Sequence, residues 1–374
     1  MTQAVIYTTL ATDSGHQIGV ASLNSERSLN ALSLAMVDSL TEQLDRWAED
    51  DRIVCIWLQG SGDKAFCAGG DIRAIYEAAK AAPGELTEAV TDFFSREYRL
   101  DHKIHRFPKP MVVWGSGIVM GGGLGLMAGA SHRIATETSR IAMPEISIGL
   151  FPDVGGTWFL NRMPGQCGRF LALTGYSMNG ADARYVGLAD HLVLSERRSA
   201  LLDALTSLGW QGEAGDRDML SGYLRGLEEQ DLPQLPESLL HREQASIDAV
   251  MQGDSLAQVA GQLNEAASQA DWLARPAKTL QAGSPITAHL IWHQLSACGD
   301  WSIEQVFQQE LVWAVRCAQQ GDFVEGVRAL LIDKDRNPQW RFTQREEVTP
   351  DWLARFHQSP FATNPLADLT EDYQ

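Results

Sequence analysis

Apolar residues alternate loosely over residues 18–23 and predict a strand. Over 33–48 the spacing turns helical. Leu34, Val37, Leu40, Leu44 and Trp47 share one face, as on a helix packed against a core. Residues 53–59 form a short apolar run suited to a buried strand. A small-residue turn over 65–70 leads to a helix start over 71–80. Residues 111–120 read as another buried strand, 124–129 as a helix and 131–135 as one more strand. The order strand, strand, helix recurs, which predicts an α/β fold of stacked β-β-α units instead of a simple β-α alternation.

After about Leu194 the texture changes. Residues 195–276 are rich in Gln, Glu, Ala and Leu at helical spacing, with Pro233 and Pro236 as breaks. Residues 284–319 predict two further amphipathic helices, and 321–334 a helix with a compact end followed by a polar tail. Residues 226–237 are expected to be the most mobile loop. The chain divides into a ββα core, 1–200, and a mainly helical region, 201–374.

With 374 residues the chain can bury a large core. Its net charge of −18 argues against nucleic-acid binding, which needs a basic face. An anionic small ligand is still compatible, because a few local Arg and Lys suffice. Five scattered cysteines, with no CxxC or His/Cys ligand spacing, indicate neither zinc nor a disulfide framework. They point to a reducing compartment, and the cytoplasm is the expectation. Residues 111–131 run without a formal charge for about the length of a membrane helix. Seven glycines between 115 and 129 weaken that reading. Strand, tight turn and buried helix explain the same residues, so no membrane partner is expected.

The chemistry concentrates between Pro108 and Asn161. Gly121-Gly122-Gly123 follows a strand and opens a helix, a setting in which backbone N–H groups can hold an oxyanion. Alone, it reads better as a tight turn without a ligand. Ala65-Phe66-Cys67-Ala68-Gly69-Gly70-Asp71 is a second glycine turn, and one N–H from each turn could converge on one carbonyl oxygen. Asp71 reads mainly as a helix N-cap. Cys67 reads as a small buried residue, since no His partner sits at a recognisable position. Glu145, after Met143-Pro144, is expected to be half buried with a raised pKa, which favours proton transfer. The bland alternative is a helix-start carboxylate. Asp153 stands similarly before Gly155-Gly156. His132 reads as a packed core histidine.

These residues together resemble the crotonase (enoyl-CoA hydratase/isomerase) superfamily. The motifs are Ala65 to Ile72, Lys109-Pro110, Gly121 to Gly123, Met143-Pro144-Glu145 and Phe151-Pro152-Asp153-Val154-Gly155-Gly156. Phe93-Phe94, Glu97-Tyr98, Phe170 to Gly175 and Asp322 to Asp335 are similar to its 3-hydroxyisobutyryl-CoA hydrolase branch. The resemblance implies a crotonase-like ββα spiral with a helical C-terminal region. It implies an acyl-CoA substrate whose thioester oxygen sits between the N–H groups of Gly70 and Gly122. Glu145 and Asp153 would be the catalytic carboxylates, and Glu97 would join them in binding substrate. Ala68, Asp71 and Ile72 would lie along the coenzyme A moiety, which is part of the substrate. No other cofactor and no metal is implied, and a homo-oligomer is possible for such relatives.

Hydratases of the family usually carry a glutamate two residues after the glycine triplet, and here that position is Gly125. The resemblance therefore implies a thioester hydrolase acting on 3-hydroxyisobutyryl-CoA, an intermediate of valine catabolism, or a close 3-hydroxyacyl-CoA. The alternatives are an enoyl-CoA hydratase or isomerase, and a non-catalytic acyl-CoA-binding protein. Proline at 122 removes the oxyanion donor and is expected nearly to abolish activity, and alanine, which keeps the N–H but adds a Cβ, to lose less if φ permits it.

Overall fold

The computed structural model describes residues 3–373. Strands β1 (Val5–Ala11), β2 (Gln17–Leu23), β3 (Ile53–Gly60), β5 (Met111–Gly115), β7 (His132–Ala135) and β9 (His191–Leu192) form one six-stranded sheet in that spatial order. Strands β4 (Ala65–Cys67), β6 (Ile118–Met120) and β8 (Arg140–Ala142) form a second, three-stranded parallel sheet. Only the β1–β2 pair is antiparallel. From β3 to β8 each turn of the chain gives one strand to the large sheet and one to the small sheet. A helix or short helical turn follows. This is the expected β-β-α spiral.

β3 is apolar nearly throughout because both its faces are covered. One face packs under α1 (Leu34–Glu49), which buries Met36, Val37, Leu40, Leu44 and Trp47 and is capped by the Ser33 hydroxyl. On the other face Trp57 stacks on Trp114 at 5.6 Å, and Leu201, Leu220 and Leu224 of later helices close over them. The second core is therefore built from both halves of the chain.

The structure corrects several local readings. Residues 111–120 are two strands in different sheets, broken at Gly117, whose φ of 65° and contact with the Lys64 carbonyl leave no room for a side chain. The 65–70 segment begins as strand β4. Residues 226–237 are not a loop throughout, because the Gly215–Asp231 helix runs into them. It ends at buried Asp231, which binds Arg197 and the Leu194 N–H. The polar tail contains the Pro350–His357 helix, anchored by buried Phe356. The long helix α3 (Glu88–His105) escaped the pattern because Glu97 and Asp101 occupy core positions on it.

Asp71 is not a helix cap. Leu32 N–H bonds the Gly69 carbonyl at 2.8 Å and Asp71 N–H bonds the Leu32 carbonyl at 2.9 Å. This strand-like pairing delays the start of α2 (Arg73–Ala81), whose N-cap position is Ile72. Asp71 is left exposed.

Candidate active site

The two glycine turns meet at one cavity of about 270 Å³. The same pairing that displaces Asp71 aims Gly70. In extended chain successive amides point to opposite sides, so the Gly70 N–H, flanked by two groups bonded to Leu32, faces the cavity. Gly122 is the first residue of α4 (Gly122–Ala128), so its N–H is a first-turn donor with no intrahelical acceptor. Gly121, with φ of 47°, makes the turn that brings it there. A Cβ on Gly122 would stand 3.4 Å from the Gly70 nitrogen, which puts the two donors on one wall. That Cβ would also collide with Glu97 Oε1, so glycine at 122 is required by close approach as well as by the turn.

Three acids line the same cavity. Glu145 opens a short 3₁₀ turn, Glu145–Ile148, after Pro144, and is buried at 4% exposure. Its Oε2 has no hydrogen-bond partner among the described residues. Burial first, then the charge of Asp153, push its pKa well above the ordinary carboxylate range. Glu97, from α3, is likewise raised by burial and then by Asp153. Asp153 is raised less, to about 6, because the Tyr98 hydroxyl donates to its Oδ2 at 2.6 Å and offsets part of the burial effect. A charge on Asp153 therefore disfavours a charge on Glu145 and on Glu97.

The Asp153 turn is strained and clamped. Val154, a β-branched residue, has φ of 52°. Glu310, on the Ile303–Gln320 helix, accepts from the N–H groups of Gly155 at 2.7 Å and Thr157 at 2.8 Å. The later helical region thus holds a turn of the ββα core in shape, a role consistent with strain stored at a functional site. Glu310 itself is pushed up to about 8 by burial, against the pull of those bonds.

Of the residues singled out in the sequence, Gly70, Gly122, Glu97, Glu145, Asp153, Ala68 and Ile72 line this cavity, and Asp71 does not. Cys67 is fully buried, with its thiol raised to about 12 by burial, so it is no nucleophile. His132 is buried and bonded to Ser131 and to the Arg217 carbonyl. Sequence reading missed Asp101, fully buried beneath the site, with neither oxygen bonded. Burial, then Glu97, hold it protonated far above the ordinary range. Its Oδ2 would lie 2.8 Å from a Cβ on Gly125, and Val154 Cβ 2.7 Å from the same point. It missed Glu310 too. The only signal for either was an acid at an apolar position of a helical pattern.

A model of the enoyl-CoA hydratase/isomerase family matches residues 18–357. The chain is 40% identical over 323 residues to a zebrafish (Danio rerio) protein named 3-hydroxyisobutyryl-CoA hydrolase, mitochondrial, covering 86% of this chain and 82% of that one. The human protein of that name is 36% identical over 341 residues, covering 91% and 86%. Among solved structures, an enoyl-CoA hydratase from Rhodobacter sphaeroides superposes with a TM-score of 0.81 at 34% identity, covering 95% of this chain and 97% of that one. A carnitinyl-CoA dehydratase from Mycobacterium thermoresistibile gives 0.82 at 31%, covering 97% and 98%.

The cytoplasmic expectation is overturned by these relatives, which are mitochondrial by name. All five cysteines are free and buried, but free thiols fit any reducing compartment, so they could not choose between cytosol and organelle. Among the described residues no helix is long and apolar enough to cross a membrane. With the spiral fold, the two facing glycine turns and a family match over most of its length, the chain belongs to the enoyl-CoA hydratase/isomerase, or crotonase, family.

Proposed function

We propose that the chain hydrolyses the thioester of 3-hydroxyisobutyryl-CoA, the valine-catabolic intermediate, or of a close 3-hydroxyacyl-CoA. One observation carries the reading: Glu145 and Asp153, both buried, share one cavity with the outward N–H groups of Gly70 and Gly122. The thioester oxygen accepts from both N–H groups. Each such donor contributes about 3 kcal/mol as negative charge develops on that oxygen. Glu145, as carboxylate, either attacks the carbonyl carbon and expels the coenzyme A thiolate to leave a mixed anhydride, which water then cleaves to the free acid and the Glu145 carboxylate, or takes a proton from a water that attacks the carbonyl carbon and displaces the thiolate. The thiolate then takes up a proton. Asp153 accepts from the substrate's 3-hydroxyl with the oxygen that Tyr98 leaves free, and Glu97, neutral, completes the polar wall. Coenzyme A leaves as product, and no further cofactor is part of the scheme. In this reading residues 1–200 form the catalytic core and 201–374 the helical region that covers it.

The names of the vertebrate relatives support a hydrolase, and that of one solved relative favours a hydratase. Gly125 weighs against hydration. The space beside it is filled by Asp101 and Val154, and Asp101 does not line the cavity. Mixing the protein separately with 3-hydroxyisobutyryl-CoA and with crotonyl-CoA separates the two. Free thiol from the first substrate supports hydrolysis. Loss of enoyl absorbance from the second without thiol release would replace it with hydration.

A further inference from the structure

Glu97, Asp101 and His105 follow one another at helical spacing on α3, so their side chains share one face of that helix. Opposite them stand glycines. A Cβ on Gly122 would collide with Glu97 Oε1, and one on Gly125 would lie 2.8 Å from Asp101 Oδ2. One on Gly129, just past α4, would lie 2.7 Å from the His105 ring. The two helices thus enclose a row of proton-carrying side chains, each over a glycine. The row runs outward. Glu97 lines the active-site cavity, Asp101 is fully buried, and His105 is partly exposed.

Every member has a buried polar atom without a partner among the described residues: Glu97 Oε1, both Asp101 oxygens and His105 Nε2. Leaving such an atom unbonded costs about 1–3 kcal/mol, so native proteins seldom gather several of them in one place. Polar atoms in this state commonly hold buried water. Burial, then Glu97, Asp153 and Glu310, hold Asp101 protonated. Burial, then His102, Arg133 and Arg106, bring the His105 pKa down to about 3 against the pull of Glu304. Both groups are therefore uncharged, and each can accept a proton on one atom while giving one from another.

Hydrolysis of a thioester to a carboxylate and a thiol sets one proton free at neutral pH. Resting on the hydrolase reading above, we propose that Glu97, Asp101 and His105, with water held between them, carry that proton from the cavity to the surface. It leaves the attacking water at Glu145 and passes to Glu97. Glu145 Oε1 and Glu97 Oε1 lie over the adjacent glycines 121 and 122. Glu97 forms an O–H bond on one oxygen as the O–H on its other oxygen breaks, and Asp101 does the same. The His105 imidazole accepts at one nitrogen and releases a proton from the other. After each passage all these side chains have their starting charge.

Asp101→Asn keeps the shape of the side chain and loses the carboxyl proton. His105→Phe keeps a ring and loses both nitrogens. Each is expected to lower kcat by about tenfold, less than the loss of a group acting directly on substrate, with KM held. The solvent deuterium isotope effect on kcat should rise, because proton transfer becomes the slow step. Imidazole buffer should restore His105→Phe, whose site is partly exposed, and leave Asp101→Asn as it was. An unchanged kcat in either variant, or a loss with neither a larger isotope effect nor rescue, overturns the proposal. Circular dichroism checks the fold, and His105→Gln takes the place of a His105→Phe protein that does not fold.

An infrared measurement reads the path without turnover. The band of the protonated Asp101 carboxyl is the one that Asp101→Asn lacks. On transfer to deuterium oxide it should shift at once in the wild type and slowly in His105→Phe. Equal exchange in the two proteins overturns the proposal. If the band exchanges as expected but the wild type releases no thiol from any 3-hydroxyacyl-CoA, the hydrolase reading falls and the path stands.

Discussion

Tyr98 donates its hydroxyl to Asp153 Oδ2 at 2.6 Å, with both side chains buried. The bond does two things. It fixes which oxygen of Asp153 is free to meet a substrate, and it favours the ionised carboxylate against the effect of burial. Tyr98 reaches it from α3, and Glu310 clamps the turn that carries it from the Ile303–Gln320 helix. Asp153 is thus held by two elements far from it in sequence.

Tyr98→Phe removes a donor to the ionised form, so the pKa of Asp153 rises from about 6. If the reaction needs Asp153 as carboxylate, the acid limb of kcat/KM moves to higher pH. Activity should fall by about tenfold on the acid side of neutrality, the scale of a lost hydrogen bond to a charged group. It should approach wild type well above neutrality. A pH profile that keeps its acid limb would show that Tyr98 does not tune this group.

Asp153→Asn should reduce hydrolysis of 3-hydroxyacyl-CoAs more than that of acyl-CoAs lacking the hydroxyl, because a site built to bond a hydroxyl loses most on the substrate that carries it. Comparing kcat/KM on 3-hydroxyisobutyryl-CoA and isobutyryl-CoA checks this. Equal losses would remove Asp153 from hydroxyl recognition.

The same substitution should stabilise the fold at high pH. The folded-state pKa of Asp153, about 6, lies above the ordinary 3.8. The native state therefore binds this proton more tightly than the unfolded chain. Stability from this source is full below about 3.8 and is lost as pH rises through about 6, an effect of about 3 kcal/mol. Asp153→Asn escapes it, so Tm should exceed wild type by a few degrees at pH 8 and match it at pH 4. Melting curves at the two pH values decide, and a uniform drop would mean that the carboxylate is a net structural asset.

Much of this arrangement was legible in sequence, and the rest was hidden for physical reasons. β3 and α1 announced themselves because every buried position on them is apolar. The glycine turns and Glu145 were visible because backbone close approach and Pro-preceded acids leave local marks. Helix α3 broke its own pattern by burying Glu97 and Asp101, and Glu97 was reached only through the family resemblance. Glu310 was invisible because the turn it clamps lies 153 to 155 residues earlier. Gly117 hid the change of sheet because one positive-φ residue inside an apolar run leaves the run intact.

Alanine at 122 is expected from sequence to lose less than proline if φ permits alanine, and the structure adds a steric cost to it. Its Cβ would collide with Glu97 Oε1, while Phe93 and Gly70 crowd the same wall. Gly122→Ala should lower kcat/KM by about a hundredfold through displacement of Glu97 and of the donor N–H. Adding Glu97→Asp, which shortens the offending side chain, should recover part of the loss. A folded Gly122→Ala protein with wild-type kinetics would show that the wall has room to move.

The central claim is that Glu145 carries the chemistry at a thioester held by Gly70 and Gly122. The most direct measurement is thiol release from 3-hydroxyisobutyryl-CoA by Glu145→Gln, beside calorimetric binding of the same thioester and circular dichroism of the variant. Turnover should fall by at least about a hundredfold, the scale of a lost acid–base group, with binding and fold retained. A folded Glu145→Gln protein that releases thiol at close to the wild-type rate would contradict it.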